Sequence, residues 1–163
     1  MFLDTETTGL DEADQVVELA LLDARGAVLL DTLVRPSCAV AEGARSVHGI
    51  TDAELAGAPA WAEVDAQLRQ LTAGRLLVSH NAGFDARLVD QTSDAHGCAP
   101  LVAAEWACTM ELLTGANGGR WPDLGLALSI VGAAPPEGAA HRARYDAECC
   151  RRIVLALAAA GTT

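Results

Sequence analysis

The sequence predicts an α/β fold in which a mixed five-stranded sheet is flanked by helices. Short runs rich in Val and Leu, at residues 16–22, 27–34 and 75–79, alternate with stretches of helical periodicity, above all 60–71 and the segment through Ile153, Val154, Leu155 and Leu157. The turn-forming residues Asp23, Ala24, Arg25 and Gly26 join two of those runs as a hairpin, whereas other runs lead into helix-compatible segments, so the sheet mixes antiparallel and parallel pairs. At 163 residues, 51% hydrophobic but only 4% aromatic, the chain suits one domain over residues 1–163 whose core is built from Ala, Leu and Val.

Taken in order, a first strand ends at Asp4 and leads through Thr7, Thr8 and Gly9 as a turn. Only Met1, Phe2 and Leu3 precede Asp4, so this strand is expected to be short for a central position. Strands at 16–22 and 27–34 follow, the latter ended by Pro36. Residues 39–73 read as helical: a short piece near 41–47, a turn at 49–52, a short helix capped by Thr51 or Asp52, and an amphipathic helix over 60–71. A buried fourth strand is expected at 75–79 and a fifth at 103–109. Two Gly- and Pro-rich loops, 115–122 and 132–138, bracket a helix through Leu124, Leu126, Leu128 and Val131 with Asp123 as cap, and the last long helix follows His141.

Composition excludes several classes. No apolar run reaches the roughly 18 residues that would suggest a bilayer span, so no membrane partner is expected. Five cysteines, an odd number with no C-x-x-C pair, make a poor disulfide framework and fit reduced thiols in the cytoplasm. His96, Cys98 and Cys108 lack zinc-ligand spacing and read as loop and core residues. The net charge of −11 opposes a protein that coats long stretches of nucleic acid. All basic residues are arginines: Arg151 and Arg152 read as solvated helix surface, while Arg142 and Arg144, flanking His141, are candidates for phosphate contact.

Against that background the acids stand out. Asp4 and Glu6 alternate at the end of an apolar strand and so project from one face, where they repel unless a cation neutralises them. Asp85 follows the run Leu76, Leu77, Val78 and lies near a helix start. Asp146 falls in an early turn of the last helix, where the helix dipole favours a carboxylate, and His141, five positions earlier, belongs to the loop before it.

Asp4-x-Glu6-Thr7-Thr8-Gly9, His80-Asn81-x-x-Phe84-Asp85 and His141-x-Ala143-x-x-Asp146 resemble, in order and spacing, the three motifs of the DEDDh-type 3′-to-5′ exonucleases. Val47-His48-Gly49-Ile50-Thr51 adds a likeness to the proofreading epsilon subunit of bacterial DNA polymerase III. The resemblance covers essentially the whole chain and implies a ribonuclease H-like fold and metal-dependent release of nucleoside monophosphates from single-stranded 3′ ends, DNA favoured, by a two-metal mechanism. It further implies that Asp4, Glu6, Asp85 and Asp146 hold two divalent cations, Mg2+ with Mn2+ as substitute, and that His141 is the general base. Backbone groups near Thr7 would bind the terminal 3′-hydroxyl, and Leu10, His48 and Phe84 the last bases by shape; Phe84 equally suits core packing, His48 turn stabilisation, and His80 a structural hydrogen bond. An RNA-trimming exoribonuclease and a non-catalytic nucleic-acid or protein binding module are the alternatives, and a DNA polymerase or a second copy of the chain the candidate partners.

Overall fold

The computed structural model describes residues 1–103 and 105–161. Five strands, β1 (Phe2–Thr7), β2 (Val16–Leu22), β3 (Val28–Leu33), β4 (Leu76–Ser79) and β5 (Glu105–Cys108), form one sheet in the order β3-β2-β1-β4-β5. β1 and β2, and β2 and β3, pair antiparallel; β1 with β4 and β4 with β5 pair parallel. The sheet is mixed, as expected. Around it stand α1 (Glu42–His48), α2 (Asp52–Ala56), α3 (Trp61–Thr72), α4 (Ala82–Ala95), α5 (Thr109–Leu113), α6 (Leu124–Ile130) and α7 (Ala143–Ala160).

The two faces of the sheet pack differently. Leu3, Leu19, Leu21 and Leu77 join Trp61, Val64 and Leu68 of α3 and Leu88 and Val89 of α4 in the larger core. Trp61 is fully buried, and its indole N–H donates to Ser93 Oγ at 3.1 Å, so the ring's one polar atom is satisfied. On the opposite face Phe2, Ala20, Leu22 and Val78 pack against Ala143, Ala147 and Cys150 of α7. The α7 side of this contact is built from small side chains, which gives the alanine-rich composition a structural use. Covered on both faces, β2 is buried at all seven positions and reads as a continuous apolar run interrupted by one acid, Glu18.

Several boundaries differ from the sequence expectation. β1 does not stop at Asp4 but continues to Thr7 as a six-residue strand paired along its length with β2, so it is not short. Polar side chains at its far end do not break it, because ladder hydrogen bonds to β2 carry the backbone forward. The fifth strand is only Glu105–Cys108, because Thr109 opens α5, a helix absent from the expectation; Ala104 lies outside the described residues. Thr51, not Asp52, caps α2, through a reciprocal capping box with Glu54. Asp123 caps α6 by accepting from Leu126 N at 2.8 Å. The thiols are free, and no described helix is long and apolar enough to cross a membrane.

Arginine placement also departs from expectation. Arg151 is not solvated: with Arg152 it clamps Glu148, at 2.6 and 2.9 Å, and its side chain is 15% exposed. Arg142 is bound to Glu18 and is not free for a phosphate. Arg144 approaches Asp31 at 3.7 Å from an exposed position.

Candidate active site

Strand alternation sets the first two acids. Leu3, Thr5 and Thr7 point toward α3 and α4, so Phe2, Asp4 and Glu6 share the face covered by α7. The register shifts between Glu6 and Thr7, a bulge where the strand leaves the ladder beside the acids. Just beyond, Gly9 is required by close approach: a Cβ there would lie 2.5 Å from the Asp14 carboxylate, which is held by Thr8 Oγ1 at 2.6 Å and Asp11 N at 2.7 Å.

β4 and β1 run parallel, so the chain leaving β4 emerges at the same edge of the sheet where β1 ends. Asn81 turns it into α4 with a left-handed backbone, φ 80°, a conformation Asn tolerates better than most residues. Asp85 in the first turn of α4 is thereby buried at that edge, its Oδ1 accepting from Thr5 Oγ1 at 2.9 Å. His80 ties the same corner together: Nδ1 lies 2.8 Å from Thr109 Oγ1 and Nε2 3.1 Å from the Pro122 carbonyl, so its role is structural.

α7 brings the remaining groups. Asp146 stands in its first turn, and suitable oxygens of Asp4, Glu6 and Asp146 all lie within 4.8 Å of one another. Among the described residues this is the group of three or more His, Cys, Asp or Glu side chains able to hold a metal ion. Asp85 stands outside that trio but is the charged neighbour that most raises Asp4. His141 is exposed with a left-handed backbone, φ 60°, and its N–H donates to Asp146 Oδ2 at 3.1 Å.

The electrostatics of the acids are those of uncompensated crowding. Burial first, and then Asp85, Asp146 and Glu6, hold the Asp4 carboxyl well above the usual carboxylate range. Burial and then Asp146 push Glu6 up to about 8. Burial raises Asp85 to about 7 against the opposing Thr5 hydroxyl, and Asp146 to about 6 against the nearby His141. Carboxylates whose ionisation is opposed by burial and by one another, with oxygens this close, fit a hard divalent cation, whose charge would reverse the penalty.

Beside the trio runs a groove of about 340 Å³ lined by Thr7, Leu10, His48 and Phe84 together with Glu6 and Val47. The structure therefore brings all four sequence-predicted substrate residues to one cavity. Leu10 is 74% exposed, on a loop that α4 holds through Arg87 Nη2 to the Leu10 carbonyl at 3.2 Å and through Gln91 Nε2 to the Asp11 and Asp14 carbonyls, both at 3.1 Å. Phe84 packs its inner edge on the core, with the Arg87 guanidinium 5.4 Å from its ring centre. His48 is buried; Nδ1 accepts from Ile50 N at 3.0 Å, which leaves Nε2 as the protonated nitrogen of the neutral ring, without a hydrogen-bond partner among the described residues. Burial lowers its pKa, with the Thr7 main chain opposing.

A family model described as an exonuclease matches residues 1–154. The chain belongs to that family. An exonuclease of Escherichia phage 186, CP81, is 35% identical, covering 99% of this chain and 89% of the relative. The DNA polymerase III epsilon subunit of Treponema pallidum is 29% identical over 96% of this chain and 74% of its own length, and exodeoxyribonuclease 10 of Escherichia coli 30% identical over 88% and 61%. Exonuclease X, solved in complex with 5′ overhanging duplex DNA, superposes with a TM-score of 0.75 at 28% identity over 99% of this chain and 92% of that one. The nuclease domain of 3′hExo, a DEDDh family member bound to rAMP, shares the fold at TM-score 0.78 and 16% identity over 98% and 90%. The chain is thus a 3′-to-5′ exonuclease by family, with the ribonuclease H-like fold that it shares with the DEDDh nuclease domain of 3′hExo, and its family generally uses divalent metal ions.

Two residues of this site carried no sequence assignment. Thr5 holds Asp85, and Glu18, opposite Glu6 in the β1–β2 register, is 4% exposed beneath the start of α7. The available signal for Glu18 was a lone carboxylate in an otherwise apolar strand.

Proposed function

We propose that this exonuclease, acting through residues 1–163 as one domain, hydrolyses the terminal phosphodiester of single-stranded 3′ ends, DNA preferentially, and releases nucleoside monophosphates. The observation that carries the reading is the adjacency of the Asp4–Glu6–Asp146 trio to a groove of about 340 Å³ lined by Thr7, Leu10, His48 and Phe84. Asp4, Glu6 and Asp146, supported by Asp85, would hold a pair of Mg2+ or Mn2+ ions, which when bound supply charge neutralisation at the phosphate and a water of lowered pKa.

The chain's own groups do the rest. His141, on the loop entering α7, takes the proton of the attacking water as general base. The backbone at Thr7 receives the 3′-hydroxyl, and the exposed Leu10 and the half-buried Phe84 grip the last base by apolar contact, which reads no sequence. His48 lines the same groove, its imidazole buried in the wall beside Thr7. An acidic protein can hold such a substrate because it binds only a chain end and the cations supply the positive charge. Free thiols support a cytoplasmic setting, and the likeness to polymerase III epsilon supports a DNA polymerase as partner.

The test is incubation with end-labelled single-stranded DNA and RNA of matched sequence, with magnesium and with chelator. Magnesium-dependent mononucleotide release, faster from DNA, is expected. Release only from RNA would reassign the substrate, and no release from either would leave a binding module.

A further inference from the structure

The entry to α7 hangs on a single buried carboxylate. Glu18 accepts from Arg142 Nε at 3.0 and 3.1 Å, from Arg142 Nη2 at 2.5 Å and from the Ala143 main-chain N–H at 2.9 Å. These two residues follow His141 directly, and His141 adopts a left-handed backbone that a non-glycine residue enters only at a cost. Something must hold it there. On one side the His141 N–H is tied to Asp146, and on the other the chain is pinned to Glu18, which faces Glu6 across the β1–β2 ladder. Glu18 thus links the strand that carries two of the acidic trio to the segment that carries His141 and Asp146.

We propose that Glu18, through Arg142 and the Ala143 N–H, is a positioning residue that fixes His141 and Asp146 against Asp4 and Glu6. It rests on the reading of His141 as base and Asp146 as ligand. Its placement argues against direct metal binding: its oxygens are already engaged by two partners, and it stands outside the trio. Its burial argues against mere solubility, since an acid in a strand covered on both faces is retained only with its charge matched.

The experiment compares Glu18→Gln, Arg142→Met and the double variant with the wild-type chain, each confirmed folded by circular dichroism at the assay temperature. Glu18→Gln should lower kcat about 10- to 100-fold, the loss expected of a displacement near 1 Å, with KM for a single-stranded DNA end changed less than about twofold. Arg142→Met, altered at a side chain 43% exposed, should lower kcat by at least about fivefold, and the double variant should lose no more than Glu18→Gln alone, because the pair acts as one unit. Calorimetric titration with Mn2+ should show affinity reduced about three- to tenfold in Glu18→Gln, as expected when one ligand is displaced. Wild-type kcat and Mn2+ affinity in folded Glu18→Gln overturn the proposal. If Glu18→Gln does not fold, wild-type kcat in Arg142→Met overturns it equally. A wild-type chain that releases no nucleotide defeats the functional reading instead, and the Mn2+ titration then decides the positioning role by itself.

Discussion

At the scale of single residues, what distinguishes this site is that its acids are assembled at an energetic cost. Burial, and then Asp85, Asp146 and Glu6, hold the Asp4 carboxyl well above the usual carboxylate range, so its ionised form is penalised and removing the ionisable group should relieve the metal-free fold while destroying the site. Asp4→Asn is therefore expected to abolish magnesium-dependent nucleotide release and, without metal at pH 8, to raise the melting temperature; a lower melting temperature there would show that the repulsion is not real. His141→Ala should behave differently: hydrolysis slowed by about two to four orders of magnitude with Mn2+ affinity nearly unchanged, since the ring is not among the three clustered ligands. Single-turnover rates alongside calorimetry would separate the two behaviours. The motif acids were legible because their spacing along the chain is local. Glu18 and Thr5 were not, because their roles exist only through partners 124 and 80 positions away.

At the scale of elements, the site depends on how strands end and helices begin. β1, β4 and α4 were readable from apolar runs and helical spacing, and their connection delivers Asp85 to the edge where β1 finishes. The extension of β1 to Thr7 was not readable, because Asp4 and Glu6 disfavour a strand and the segment is held extended by pairing with Glu18 and Val16. α5 escaped notice for a related reason: five residues are too few to display a helical period, and Thr109, buried and 2.8 Å from His80, is fixed by tertiary contact. The amphipathic pattern of α3 did show, and its anchor is Trp61. Trp61→Ala is expected to cost about 3 to 5 kcal/mol in denaturant unfolding, from lost burial and a void facing Leu3 and Leu88. A loss below about 1 kcal/mol would mean that α3 does not hold the sheet as described.

At the scale of the whole molecule, the crowded acids couple proton, metal and fold. Their folded pKa values, about 8, 7 and 6 for Glu6, Asp85 and Asp146, lie above the ordinary carboxylate value near 4. A raised folded pKa contributes stability that is complete below the ordinary value and is lost as pH climbs through the folded one. Without divalent ions the melting temperature should fall between pH 5.5 and 8.5, and saturating Mn2+ should raise it far more at pH 8.5 than at pH 5.5, because ligation needs the ionised form. Thermal scans with chelator or Mn2+ at both pH values check the sign, and equal stabilisation at the two would refute the coupling. The same architecture also orders events in time. A ribosome makes β1 before α7, so Asp4 and Glu6 wait for Asp146, and on the proposed reading the nascent chain gains its nuclease site only once α7 has emerged and docked.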